Sequence, residues 1–220
     1  STVTISLGTG TCLVSATVAS DGTFALVTTT TPVTFTITGA TQSISFTSTA
    51  PLSAKVAGAT YAVSATGGAS GNAVTFTSTT TNVCTVSTAT VSFVGVGQCI
   101  IAANQASTSN YAAATQVTQA FTVAKGDPSL SAFGNVTKTF GDATFTLTAP
   151  SANSLPGSFT YASETLGTAT IANSGGIGTV TVVAAGTSVI TATFTPTDAT
   201  NYNSATITCL LYTSPSPRDS

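Results

Sequence analysis

GQCIIAA at 97–103 and GTSVITA at 186–192 are one short strand written twice. In each, a glycine opens a run whose alternate residues (Cys99, Ile101, Ala103; Ser188, Ile190, Ala192) are small or apolar, the period of a β-strand with one face turned to a core. Working outward, NYAAAT at 110–115 returns as NYNSAT at 201–206, so Tyr111 falls on Tyr202. Upstream, AVTFTS and NVCTVS (73–87) return as SFTYAS and GTATIA (158–172), which puts Phe76 on Tyr161, and ATYAVSA returns as ATFTLTA. The period is close to 89 residues. A third copy, cut short, opens the chain: GTGTCLVSA at 8–16 matches GVGQCIIAA at 95–103, and VTFTI at 33–37 matches QAFTV at 119–123. The expected organisation is the last part of a truncated repeat (1–41), a complete repeat (42–126) and another repeat (127–208), followed by a tail (209–220).

Period-two alternation continues almost everywhere, as in SISFTS (43–48), TVSFVG (90–95) and TVTVVA (179–184), each bounded by turn formers. Helical periodicity is hard to find, which argues against parallel βαβ units. About seven short strands per repeat predict an all-β fold of tandem antiparallel immunoglobulin-like β-sandwiches.

Composition narrows the function. Of 220 residues only 5% are charged, four of them Lys or Arg, against about 25% in a typical soluble domain. No basic patch can form to neutralise phosphates, so nucleic acid is excluded as a partner. Mean hydropathy is positive, +0.42, yet no apolar run approaches the ~18 residues of a membrane-spanning helix. Histidine is absent, which removes the usual general base and the usual metal ligand together. Lys55, Lys125 and Lys138 stand in strand or linker contexts with no paired catalytic pattern. No enzyme activity, cofactor or metal is expected.

Several features taken together resemble a known family. They are the opening QSISF, the KTFGDATFTLTA strand pair, the V-C-T-V-S step, the G-x-G-x-C-I-I-A turn into the next strand, and the NYAAAT and NYNSAT ends. These are similar to the bacterial Ig-like tandem repeats (Big or MBG type) of large secreted and surface proteins, over essentially the whole chain to Thr208. The resemblance implies a stalk or spacer in an exported or cell-surface, adhesin-like protein, with neighbouring repeats of the chain as partners. A module binding a cell-surface glycan or protein, or accessory domains of a secreted hydrolase, are the other functions it implies.

Cys84 and Cys99 stand fifteen residues apart on strand-like segments, with parity that turns both inward. In the third repeat the matching positions are Ala169 and Ser188, so both cysteines are lost together. Joint loss is what a disulfide predicts; two free thiols are the alternative, and zinc lacks further ligands. Cys12 matches Cys99 and is left unpaired by truncation. Cys209 begins CLLYTSPSPRDS, which carries the chain's one arginine, Arg218, and resembles the translation of a transposase adapter used in DNA library preparation. Residues 209–220 are therefore expected to be a non-native tail.

The recurring Tyr111 and Tyr202, with Phe24 at the same place in the first repeat, are expected to be packing anchors similar to the tyrosine corner of Ig sandwiches rather than a sugar-stacking platform. Asp198 with Asn201, or Asp142, are the groups best placed for Ca²⁺, but the acids are isolated, and calcium wants six to eight oxygens. Asn135-Val136-Thr137 matches an N-glycosylation sequon. No acid can be assigned to Lys138 for an isopeptide crosslink.

Overall fold

The computed structural model describes residues 2–6, 8–29 and 31–216, and every regular element among them is a strand. Among the described residues no helix is long and apolar enough to cross a membrane. The first repeat holds β1 (Gly10–Val14), β2 (Thr17–Val18), β3 (Val27–Thr28) and β4 (Val33–Ile37). The middle repeat holds β5 (Ser45–Phe46), β6 (Tyr61–Ala62), β7 (Ala65–Thr66), β8 (Thr75–Ser78), β9 (Cys84–Ser87), β10 (Thr90–Phe93), β11 (Gly97–Asn104) and β12 (Val117–Val123). The third holds β13 (Val136–Thr139), β14 (Phe145–Thr146), β15 (Gly157–Ser163), β16 (Ala169–Ser174), β17 (Ile177–Val182), β18 (Gly186–Pro196) and β19 (Ala205–Ser214).

The chain divides into two compact units. The first comprises residues 1–52, 59–94 and 98–122; the second comprises 53–58, 95–97 and 123–220.

In the first unit one sheet runs β12-β11-β8 and another β6-β10-β9. Their inward residues, Val91, Phe93, Cys99, Ile101 and Ala103, are buried to 5% exposure or less. Phe121 is met edge-on by Tyr61 and Phe93, with centroids 5.7 and 5.8 Å away, a geometry that adds about 0.5–1.5 kcal/mol per pair to the area term. Tyr61 keeps its hydroxyl satisfied by donating to Gln119 Oε1 at 2.7 Å. β1 pairs with β4, but no second sheet covers that pair among the described residues, and Leu13, Val33 and Phe35 remain exposed.

The second unit repeats the plan. Its sheets run β13-β19-β18-β15 and β14-β17-β16, so β15, β18 and β19 take the places of β8, β11 and β12, and β14, β16 and β17 those of β6, β9 and β10. Alternation in β18 sends Ser188, Ile190, Ala192 and Phe194 inward. Each fully buried large side chain, such as Ile190, Val180 or Leu211, contributes about 1.5–3 kcal/mol of transfer free energy. The glycine that opens this strand in all three repeats has a positive φ, 142° at Gly10, 140° at Gly97 and 147° at Gly186. That backbone is strained for any residue with a Cβ, which is why a glycine stands at this position each time.

The sheets are antiparallel as expected, with one parallel pair among the described residues: β13 runs parallel to β19, Val136 opposite Leu211. A parallel neighbour needs a long connection, and here the body of the sandwich supplies it. The last strand runs past Thr208. β19 continues to Ser214 with Cys209, Leu211 and Thr213 all buried, because these residues keep the inward parity set by Ile207 and pair with β18 from Ile190 back to Gly186. Arg218 and the rest of 217–220 lie outside the described residues.

Candidate functional site

Cys84 and Cys99 are joined by a disulfide with a Cα–Cα distance of 5.7 Å, and both are fully buried. It ties β9 to β11, two strands of different sheets, across a loop of 15 residues, a closure that contributes about 3 kcal/mol in the chain-entropy model. The third repeat fills the same place with hydrogen bonds. Buried Ser188 pairs its hydroxyl with Ser163 Oγ at 2.8 Å and accepts from the Thr165 amide at 3.0 Å, beside fully buried Ala169. Cys12 is a free, half-buried thiol opposite Phe35, lining an apolar cleft of about 360 Å³ with Val3, Ile5 and Ile37. Cys209 is a free buried thiol in the second core, and burial pushes its pKa up.

Tyr111 and Tyr202 stand in matching turns. Both are half-buried, and each follows an asparagine that bonds outward. In the first unit Asn110 Oδ1 accepts from the Gly8 amide at 3.0 Å, the Ala40 amide donates to Asn110 O at 2.9 Å, and the Ala112 amide donates back to Ala40 O at 2.9 Å. In the second unit Asn201 Oδ1 accepts from the Val96 amide at 3.0 Å, the Gly126 amide donates to Asn201 O at 2.9 Å, and the Asn203 amide donates to Gly126 O at 2.9 Å. Parallel bridges pair Ala40 with Tyr111 and Gly126 with Tyr202. Phe24 is 73% exposed, and no isolated bridge is formed there among the described residues as Ala40 forms one with Tyr111.

Charged groups gather around the second of these turns. Lys55 forms an ion pair with Asp127, whose other oxygen accepts from Asn203 Nδ2 at 2.7 Å, and Lys125 donates to Ala199 O at 2.5 Å. The Lys55 ammonium first, and then Asn203, hold the Asp127 carboxyl below its ordinary value. Asp198 is lowered likewise by the Asn201 side chain and amide, and Asp21 by the Phe24 and Thr23 amides.

The acids singled out for calcium are occupied in turns. Asp198 receives Asn201 Nδ2 at 2.8 Å and the Thr200 and Asn201 amides, while Asp142 receives the Thr139 amide at 2.9 Å. No group of three or more His, Cys, Asp or Glu gathers among the described residues. Lys138 lies 4.7 Å above the Phe145 ring, a cation–π contact. Asn135 Oδ1 accepts from the Leu210 amide at 2.8 Å.

Sequence reading paired Cys84 with Cys99 and weighed Asn201 only as a calcium ligand beside Asp198, and it passed over Asn110, Gly126 and the Lys55–Asp127 pair. The available signal was the doublet Asn-Tyr, kept in two repeats and replaced by Thr23-Phe24 in the first.

No family model matches the chain, and a sequence comparison with curated proteins returns no match. Solved structures with similar folds include Drosophila N-cadherin EC1-3, with 12% identity, a TM-score of 0.31 and coverage of 79% of this chain and 68% of that one. The fibronectin(III)-like modules of CbhA from Clostridium thermocellum give 15% identity and a TM-score of 0.30, covering 78% and 94%. The D00-D0 domain of intimin gives 13% and 0.28, covering 76% and 96%. The chain's own strands and sheets make its fold an all-β sandwich.

Proposed function

We propose that the chain is a non-enzymatic spacer, built of tandem Ig-like modules, in an exported or cell-surface bacterial protein. The observation that carries this reading is strand-for-strand repetition: the sheets β12-β11-β8 and β6-β10-β9 recur as β19-β18-β15 and β17-β16 with β14. A protein that repeats a whole sandwich multiplies length and leaves chemistry unchanged. The buried disulfide supports an oxidising compartment, and the neighbouring repeats of the same chain are the partners.

The test places the chain between a cell-surface anchor and a binding head of known ligand, and in parallel presents the chain alone to glycan and protein arrays. Retained capture by the head with no saturable binding by the chain is the expected result. Saturable binding by the chain alone would replace the spacer with the adhesion-module reading.

A further inference from the structure

The pair β1 and β4 is the open counterpart of a face that the middle repeat keeps closed. Cys12 and Val14 on β1 stand opposite Phe35 and Val33 on β4 and share one side of the ladder with them. By the repeat, Cys12 and Val14 match Cys99 and Ile101 on β11, and Phe35 matches Phe121 on β12. In the middle repeat those three residues are 0%, 0% and 8% exposed. The other sheet closes the face: Cys84 on β9 bonds Cys99, and Phe93 on β10 meets the Phe121 ring edge-on at 5.8 Å. Over β1 and β4 no such cover lies among the described residues. Phe35 is 53% exposed, Cys12 is a free thiol, and the apolar cleft of about 360 Å³ opens between Val3, Ile5, Cys12 and Phe35.

The other repeats show what fits there. Where this strand carries Cys99, the facing strand carries the bonded Cys84; where it carries Ser188, the residue matching Cys84 is Ala169. A cysteine on β1 therefore calls for a cysteine opposite. The lining holds no charged residue, so the partner must present an apolar side, as Val91 and Phe93 do on β10. We infer that the open face of β1 and β4 is a docking surface for a β-hairpin of the β9–β10 kind, apolar on its inner side and carrying one cysteine that bonds Cys12. The occupant is a hairpin of a further repeat, because the one inside a second copy of this chain already covers β11 and has spent Cys84 on Cys99. The bond forms by exchange. The Cys12 thiolate attacks the sulfur of a cysteine held in a mixed disulfide with a small thiol, and the small thiol leaves with the electron pair of the broken S–S bond.

The test uses the intact chain, with its Cys84–Cys99 bond in place, and a synthetic peptide of residues 79–94 whose cysteine is activated as a mixed disulfide with glutathione. A control peptide carries Val91→Ser and Phe93→Ser, which keeps the cysteine and removes the apolar side. Mass spectrometry maps the site of attachment and gives its rate. Attachment of the first peptide at Cys12 is expected at least about tenfold faster than that of the control, the discrimination that burial of one such side chain supplies. Phe35→Ser, a change at an exposed position, is expected to abolish the preference while Cys12 stays reactive. Equal rates for the two peptides, a preference that survives Phe35→Ser, or attachment at Cys209 in place of Cys12 would each overturn the inference. So would a Cys12–Cys12 dimer that outruns the peptide adduct, since it would make a second copy the occupant. The inference rests on the tandem-repeat reading and not on the spacer role, so saturable glycan binding would replace the spacer and leave this result unchanged.

Discussion

Tyr161 is the residue at which the second core is least content. Its ring is 4% exposed and packs on Phe133 and Phe159, yet its hydroxyl is the one buried side-chain N or O atom among the described residues without a hydrogen-bond partner. Phe76 stands at the matching place in the middle repeat, so the site accepts a plain phenyl ring. Tyr161→Phe is expected to be neutral or to stabilise the protein by about 1 kcal/mol, since an unsatisfied buried hydroxyl carries a desolvation penalty with no return; a urea melt measures it. The exposed acids behave in the opposite way. Asp21, Asp127 and Asp198 have folded-state pKa values below the ordinary 3.8. Each adds stability that is complete above that value and is lost as pH falls through the lowered one. Solvent screening keeps the effect small. NMR titration of the three carboxyls is expected to give midpoints below 3.8.

At the scale of the element, β19 shows how a strand is recruited. Cys209, Leu211 and Thr213 face the core while Leu210 and Tyr212 are 42% and 53% exposed. Leu211→Ala is expected to cost about 2–5 kcal/mol, whereas Tyr212→Thr, on the outer face of the same strand, is expected to stay within about 0.5 kcal/mol. Equal effects of the two in chemical denaturation would contradict the pairing of 209–214 with β18. The two strands also mark how much was legible beforehand. β11 and β18 could be read because their burial follows period two, and the Cys84–Cys99 link because its loss in the third repeat is joint. The extension of β19 was obscured by composition: CLLYTS abandons the Val and Thr habit of the chain while keeping its inward parity. Parallel β13 left no trace either, since pairing direction is set by the path of the chain through the sandwich. The Asn-Tyr bonds join residues 102 and 105 positions apart, a separation at which no local pattern can betray them.

Over the whole molecule, the two units are stabilised by different means. The first carries the disulfide, and the second holds Ser188, Ser163 and Ala169 in its place. Reduction is expected to destabilise the amides of residues 59–122 by about 3 kcal/mol and to leave 123–216 unmoved, as exchange with and without reductant would show. Equal loss in both would mean that the staple is not confined to one unit. The other molecular trait is scarcity of charge, with four Lys or Arg among 220 residues. All three lysines are engaged: Lys55 with Asp127, Lys125 with Ala199 O, and Lys138 over Phe145.

That engagement turns trypsin into a gauge of the turn around Tyr202. The protease must draw a lysine side chain into its own pocket, so cleavage after Lys55 waits until Asp127 lets go. In a limited-proteolysis time course Asp127→Asn is expected to hasten the cut after Lys55 and leave the cut after Lys138 at its original rate. Equal acceleration at both would instead report general loosening. Two of the few places where such an enzyme can enter are thus latched by the contacts that hold the second turn together, and digestion becomes a slow clock of how often that latch opens.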